Sequence, residues 1–280
     1  MNFRDLAMGA YIKLHDAIAS KQNKLLISLL GFEHPAGDTD FIYDWQERDF
    51  TRELVNAFNQ YAYWVDRIAT WEQVLKEYSE DEAQALRYEF TTIPFDYCLH
   101  FPYKFRSRLI FYATQLCYTK GIAENLITQE EVKADDDINF ASFRAIAHHW
   151  PAGLKFKEDI KLINGEAFRQ HTSSYRNKSQ HQHAQRLDFG YTAHVSRDFP
   201  DGSLASYSFG EMPPIATSTV LPILVAEAEK MRTGFHSYRA LVEAHIGVML
   251  MKVEHDQHQE RYVPDSQSAT SLRPENGRSE

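Results

Sequence analysis

Cysteine is nearly absent from the chain: Cys98 and Cys117 stand alone in 280 residues, and neither belongs to a C-x-x-C pair. That excludes a disulfide scaffold and a cysteine-rich zinc module, and a reducing cytoplasm is the simplest home for such a sequence. Glycine is scarce as well, at 12 residues, with no G-x-G-x-x-G and no G-x-x-x-x-G-K-[ST]. Dinucleotide-binding and P-loop chemistry therefore have no support. No apolar run approaches the roughly 18 residues that a membrane span needs. Met1-Asn2-Phe3-Arg4-Asp5 meets an acid at once, so neither a membrane nor a secretory signal is expected. A net charge of −9 argues against coating nucleic acid with the whole surface, but leaves room for a local basic cleft.

What is present is apolar material at helical spacing. Apolar residues make up 43% and charged residues 25% of the chain, a composition suited to one large or two small globular domains. The spacing of Leu6, Tyr11, Leu14, Ile18, Leu25 and Leu29 predicts one long helix or two shorter ones over 5–30. A loop is expected from Gly31 to Asp44, then a long helix from about Arg48 to Tyr78 and a third from Asp81 to Phe90. Residues 1–80 hold eight Lys/Arg against thirteen Asp/Glu, an acidic surface around an apolar face. A helix is predicted to begin near Pro102, since proline is well tolerated in a first turn. A short one through Phe143, Ile146 and Trp150 should stop at Pro151-Ala152-Gly153. Another should start near Lys157 to Asp159 and continue to about His183. Gly190–Arg197 and Ser203–Phe209 flank Phe199-Pro200-Asp201-Gly202 and read as an inserted β-hairpin. A last helix is predicted from about Ser218 to Glu254, followed by a polar tail over 257–280 with the composition of a disordered segment.

Two stretches lack acids altogether. Residues 99–120 carry Lys104, Arg106, Arg108 and Lys120, interleaved with aromatics; residues 168–186 carry Arg169, Arg176, Lys178 and Arg186. The second contains Arg176-Asn177-Lys178-Ser179-Gln180-His181. On a helix Asn177 and His181 are four apart and share a face, and Arg176 lies about 100° round, within reach of its long side chain. An arginine that grips phosphate oxygens, an amide and an imidazole that moves protons near neutral pH are the tools of phosphodiester chemistry.

At this hexapeptide the chain resembles the HEPN family, whose R-x4-6-H signature it matches, including a polar residue after the arginine. The resemblance covers about residues 95–255 and implies a mainly α fold, a helical bundle of HEPN type with extra N-terminal helices and one inserted hairpin. The implied layout is an N-terminal helical region over 1–94, a HEPN-like domain over 95–256 and the tail beyond. It further implies a homodimer with a composite, metal-independent ribonuclease site. The 2′-OH of RNA would attack the adjacent phosphate, with His181 as general acid/base, Arg176 holding the phosphate and Asn177 orienting either. Lys178, His183, Arg169, Arg186, Lys104, Arg106 and Arg108 are the candidate substrate-binding residues. No cofactor and no metal are expected. Family members commonly serve as toxins or in defence against phage, so an antitoxin or a regulatory partner protein is an implied partner beside RNA.

Three other readings stand next to this one. RNKSQH also fits a solvated basic helix end, where cations favour the C-terminal dipole. The same basic cleft would suit a non-catalytic module that binds RNA, a nucleotide or a protein. A metal-dependent nuclease or phosphohydrolase would use histidines together with the run Asp135-Asp136-Asp137, yet His181 and His183, two apart on a helix, point to different faces, and nothing in the spacing adds His171 or His194 to them. His148-His149 reads as a helix end, Asp135-Asp136-Asp137 as a loop with a helix cap, and the two cysteines as buried thiols. Phe105, Leu109 and Tyr112 read as core, which leaves Lys104, Arg106 and Arg108 for phosphates.

Overall fold

The computed structural model describes residues 2–19, 26–28, 41–181, 183, 185–198 and 206–246. It is mainly helical. Three long helices form the centre: α2 (Phe41–Val74), α4 (Thr92–Ala123) and α9 (Thr217–Ile246) pack on one another, with α6 (Pro151–Leu162) laid against α9. Helix α1 (Phe3–Ala19) packs against α2, and helix α3 (Glu80–Phe90) packs against α4 and α1. Shorter helices α5 (Phe140–Ile146), α7 (Glu166–His171) and α8 (Tyr175–His181) follow α4 in the chain. Strands β1 (Thr192–Asp198) and β2 (Ser206–Met212) form an antiparallel hairpin, with Thr192 opposite Met212 and Asp198 opposite Ser206.

The apolar periodicity explains the packing. In α4, Phe95, Cys98, Leu99, Phe101, Phe105, Leu109, Ala113 and Leu116 are buried, and they meet Leu54, Phe58, Tyr61 and Val65 of α2 and Leu224, Met231, Phe235 and Tyr238 of α9. A second cluster joins Leu6, Ala10 and Leu14 of α1 to Trp71, Val74, Ala83 and Leu86. Gly234 lets α9 approach closely: a Cβ there would lie 2.7 Å from Ile163 Cδ1. Asp188 fastens the start of α9, its carboxylate accepting from the Thr217 backbone N–H (2.7 Å) and hydroxyl (2.5 Å). Met1 to Val248 forms one compact unit, and residues on both sides of position 94 feed the same core cluster, position 94 itself lying within α4.

Several boundaries differ from those expected. Helix α4 begins at Thr92, not near Pro102; the proline is buried mid-helix, where apolar packing on both sides outweighs one missing backbone bond. Pro151 opens α6 as its first residue, so this helix starts six residues or more before the expected Lys157. The single helix expected to reach His183 is three, α6, α7 and α8, broken where Asn164, Ser173 and Ser174 adopt left-handed φ of 51°, 51° and 52°. Helix α1 is described as far as Ala19, residues 20–25 and 29–30 of the expected 5–30 helix lying outside the described residues, and α2 starts at Phe41, inside the expected loop. The expected hairpin is present, shifted by one to three residues. Its turn, the rest of the 31–44 loop, the end of the last helix beyond Ile246 and the 257–280 tail lie outside the described residues.

Candidate functional site

Helix α8 carries the RNKSQH segment and is held by its first residue. Tyr175 is buried, and its hydroxyl donates to Asp96 Oδ1 on α4 at 2.7 Å. Burial and that carboxylate push the phenol up, so it stays protonated and the bond persists. The next residue then points across α4: the Arg176 guanidinium carbon lies 3.4 Å from the centre of the Tyr103 ring. One turn back on α4, His100 Nε2 lies 3.0 Å from Ser179 Oγ, which itself donates to the Arg176 carbonyl at 3.0 Å. Both bonds are satisfied together when His100 carries its proton on Nε2.

Asp96, His100 and Ser179 have the residue types of an acylating triad but not its arrangement. Asp96 Oδ1 lies 3.6 Å from the same ring nitrogen that faces Ser179, whereas a relay needs the carboxylate on the opposite nitrogen. His100 is pulled down by burial, with Asp96 opposing and Lys104 and Arg176 adding to the fall. It is a neutral imidazole in a basic setting. Neither Asp96 nor His100 was a candidate from the sequence, whereas Tyr103 is one of the aromatics interleaved in the basic stretch 99–120. The i, i+4 spacing of Asp96 and His100 was visible, but nothing in the chain pointed to α4 as the neighbour of α8.

The predicted residues separate into groups. Arg169, Arg176 and Asn177 line one small pocket of about 40 Å³, together with Thr172, Ser174 and Tyr175. A cavity of this size admits water. Arg169 Nη1 donates to the Asn164 carbonyl at 3.0 Å, and Asn164 N–H donates to the fully buried Glu227 carboxylate. Lys104 is exposed beside Tyr103 and His100. Arg106 is half-buried, its guanidinium 5.6 Å from the Phe140 ring and its Nε without a partner among the described residues. Burial lowers its basicity, and the charge of Arg169 lowers it further. His181 is exposed at the end of α8, four residues beyond an equally exposed Asn177.

The others lie elsewhere. Arg108 is about 140° round α4 from Tyr103, on the side of Tyr97 and Tyr112, whose phenols it influences. Lys178 turns to the base of the hairpin, with Nζ 3.8 Å from Met212 Sδ. Arg186 is exposed beyond α8, its backbone N–H held by Thr192 Oγ1 at 3.0 Å, and His183 is exposed in the connecting segment. His171 Nδ1 bonds to the Ala167 carbonyl at 2.6 Å. Among the described residues, no three His, Cys, Asp or Glu side chains come together as a metal set. Nor is any described helix long and apolar enough to cross a membrane.

One grouping escaped the sequence reading. Cys117 Sγ lies 3.8 Å from His245 Nε2, and Tyr43 Oη lies 2.7 Å from His245 Nδ1. All three are buried; burial pushes the thiol up and brings His245 down to about 3. Thiol and imidazole are both neutral, so no thiolate nucleophile forms there. Cys98, also buried, is pushed up by the same cause.

Comparison of the chain with protein-family models, with curated proteins and with solved structures finds no match to any of them.

Proposed function

We propose that the protein is a metal-independent endoribonuclease of HEPN type. The observation that carries the reading is the small pocket in which two guanidinium groups and an amide converge: Arg169 from α7, and Arg176 and Asn177 from α8, the helix that ends in His181. In the proposed reaction the 2′-OH oxygen attacks the adjacent phosphorus and loses its proton to an imidazole. The 5′-oxygen leaves and takes up a proton, giving a 2′,3′-cyclic phosphate and a 5′-OH end. Arg176 and Arg169 neutralise the charge that grows on the non-bridging oxygens. His181 is the proton carrier, and Asn177, one turn before it, orients the phosphate or the ring. His100 acts at one remove, through Ser179, as a positioning residue for the α8 backbone at Arg176.

A reaction of this kind needs a proton carrier on each side of the phosphate. His181 is exposed, so a second copy of the chain is the proposed source of the opposing group, as the HEPN resemblance implies. A role as a toxin or defence effector, restrained by a partner protein, belongs to the same proposal.

The test is incubation of purified protein with total RNA and labelled tRNA in EDTA, beside His181→Ala and Arg176→Ala. The expected result is EDTA-resistant cutting with cyclic-phosphate ends, lost in both variants. Cutting only with divalent metal would overturn the reading.

One observation favours a second reading. Arg176 is engaged by the Tyr103 ring, and Asn177 and His181 are exposed. A non-catalytic module that binds RNA would present the same face. It would retain RNA without cutting it at any protein concentration, and its expression would not arrest growth in a His181-dependent way.

A further inference from the structure

A second concavity lies on the adjoining flank of α4, where the end of α3 and the second half of α2 meet it. Its volume is about 340 Å³, within the size class of small-ligand sites. Its walls are four rings, Trp64, Trp71, Phe90 and Tyr97. Trp71 is only 1% exposed and stacks on Phe90, ring centroids 4.9 Å apart, so it closes the floor of the cavity. Glu89 also lines the cavity, exposed and with no ion pair or hydrogen bond to any described residue. Arg67, on the same wall, is tethered: its Nη1 donates to Tyr63 Oη at 2.8 Å and its guanidinium covers the Tyr63 and Tyr11 rings.

These groups specify a ligand. It has a flat face for the rings and donors for a carboxylate. A quaternary ammonium would use the rings and Glu89, but it meets the charge of Arg67. A nucleobase brings the flat face and neutral donors, as unstacked bases do on aromatic platforms. Guanine does so best: its N1–H and N2–H₂ face the same way and match the two oxygens of one carboxylate. Its O6 and N7 supply acceptors on the neighbouring edge. Adenine, cytosine and uracil each present fewer donors on one edge.

We propose that this cavity binds a guanine base. Tyr97 and Tyr103 stand six residues apart on α4, about 9 Å along the axis and about 120° round it, so the cavity and the Arg176 pocket open on different flanks of the helix. In taking RNA as the source of the base, the proposal rests on the ribonuclease reading; the base recognition itself does not.

Two of the four tryptophans line the cavity, so intrinsic fluorescence reports its occupancy. The full chain is titrated with guanosine, adenosine, cytidine, uridine and tetramethylammonium. Saturable quenching by guanosine is expected, with the other nucleosides roughly tenfold weaker and Glu89→Gln weakening guanosine by about the same factor. Glu89 is exposed, so that variant is expected to fold as the parent does. No saturable response to guanosine, an equal response to the four nucleosides, a stronger response to tetramethylammonium, or indifference to Glu89→Gln would each overturn the proposal. A guanine-containing oligoribonucleotide is then compared with guanosine monophosphate: tighter binding of the oligomer supports RNA as the source, and equal binding overturns that part. If guanosine binds but no cleavage is found, only the ribonuclease reading falls.

Discussion

Tyr103 supplies a flat, half-exposed platform for Arg176, and a guanidinium over a ring retains its in-plane donors for a phosphate. Two variants separate the ring from its hydroxyl. Tyr103→Phe should leave RNA binding within about twofold of the parent, because the stacking face is retained. Tyr103→Ala should weaken it by several-fold, corresponding to about 1 kcal/mol, as the arginine loses its fixed direction. Filter binding with a short single-stranded RNA reads both.

His245 makes a sharper prediction, because its setting is closed on every side. It faces Tyr43 on α2, Cys117 on α4 and the Trp150 ring, with Lys120 adding repulsion. Its folded value of about 3 lies below the unfolded value near 6.5, so the unfolded chain binds the extra proton in the window between them. The stability due to a neutral His245 is therefore complete above pH 6.5 and is lost as pH falls toward 3, a loss on the order of 5 kcal/mol if nothing else gives way. Thermal melts should show this acid limb, and His245→Leu should flatten it. That variant also loses about 1–3 kcal/mol at neutral pH, since the buried Tyr43 hydroxyl is left without its hydrogen-bond partner.

At the level of elements, the breaks between α6, α7 and α8 decide where the candidate site stands. A continuous helix from Pro151 to His183 would carry Arg176 far from α4; the turns at Asn164 and at Ser173-Ser174 bring it back over Tyr103. Half of this was legible. Asn164-Gly165 is a turn dipeptide, and asparagine is among the side chains that tolerate a left-handed φ. Ser173-Ser174 carries no such signal; it is held by tertiary packing of the buried Thr172 and Tyr175 on either side. Pro102 misled in the opposite sense, as its cost is hidden within a long buried helix. The Ser pair is open to direct test. Ser174→Val should lower stability by about 1–3 kcal/mol in denaturant unfolding, because a β-branched residue resists positive φ, whereas Ser174→Gly should leave it unchanged or slightly raised.

On the scale of the whole molecule, the helical class, the hairpin and most of the core stripe could be read from apolar spacing, because each depends on local periodicity. Which helices touch could not. The pairing of α8 with the first half of α4 joins residues 79 apart, Asp96 with Tyr175 and His100 with Ser179, and no spacing rule reaches across that gap. Charge follows the same logic. The chain is acidic overall, at −9, yet Lys104, Arg106, Arg169 and Arg176 gather where α4 meets α7 and α8. A small basic face on an acidic body limits how many phosphates RNA can neutralise. Three contacts, through Lys104, Arg169 and Arg176, give a slope of log affinity against log salt of roughly −2 for single-stranded RNA, at about −0.7 for each phosphate. Removing Arg169 should therefore do more than weaken binding: Arg169→Ala should flatten the slope by about 0.7, while Arg108→Ala, on the other side of α4, should leave it unchanged. Titrations of one labelled RNA across a salt series measure both. An unchanged slope in Arg169→Ala would place the RNA on another face of the molecule and remove the Arg169–Arg176 pocket from the binding path.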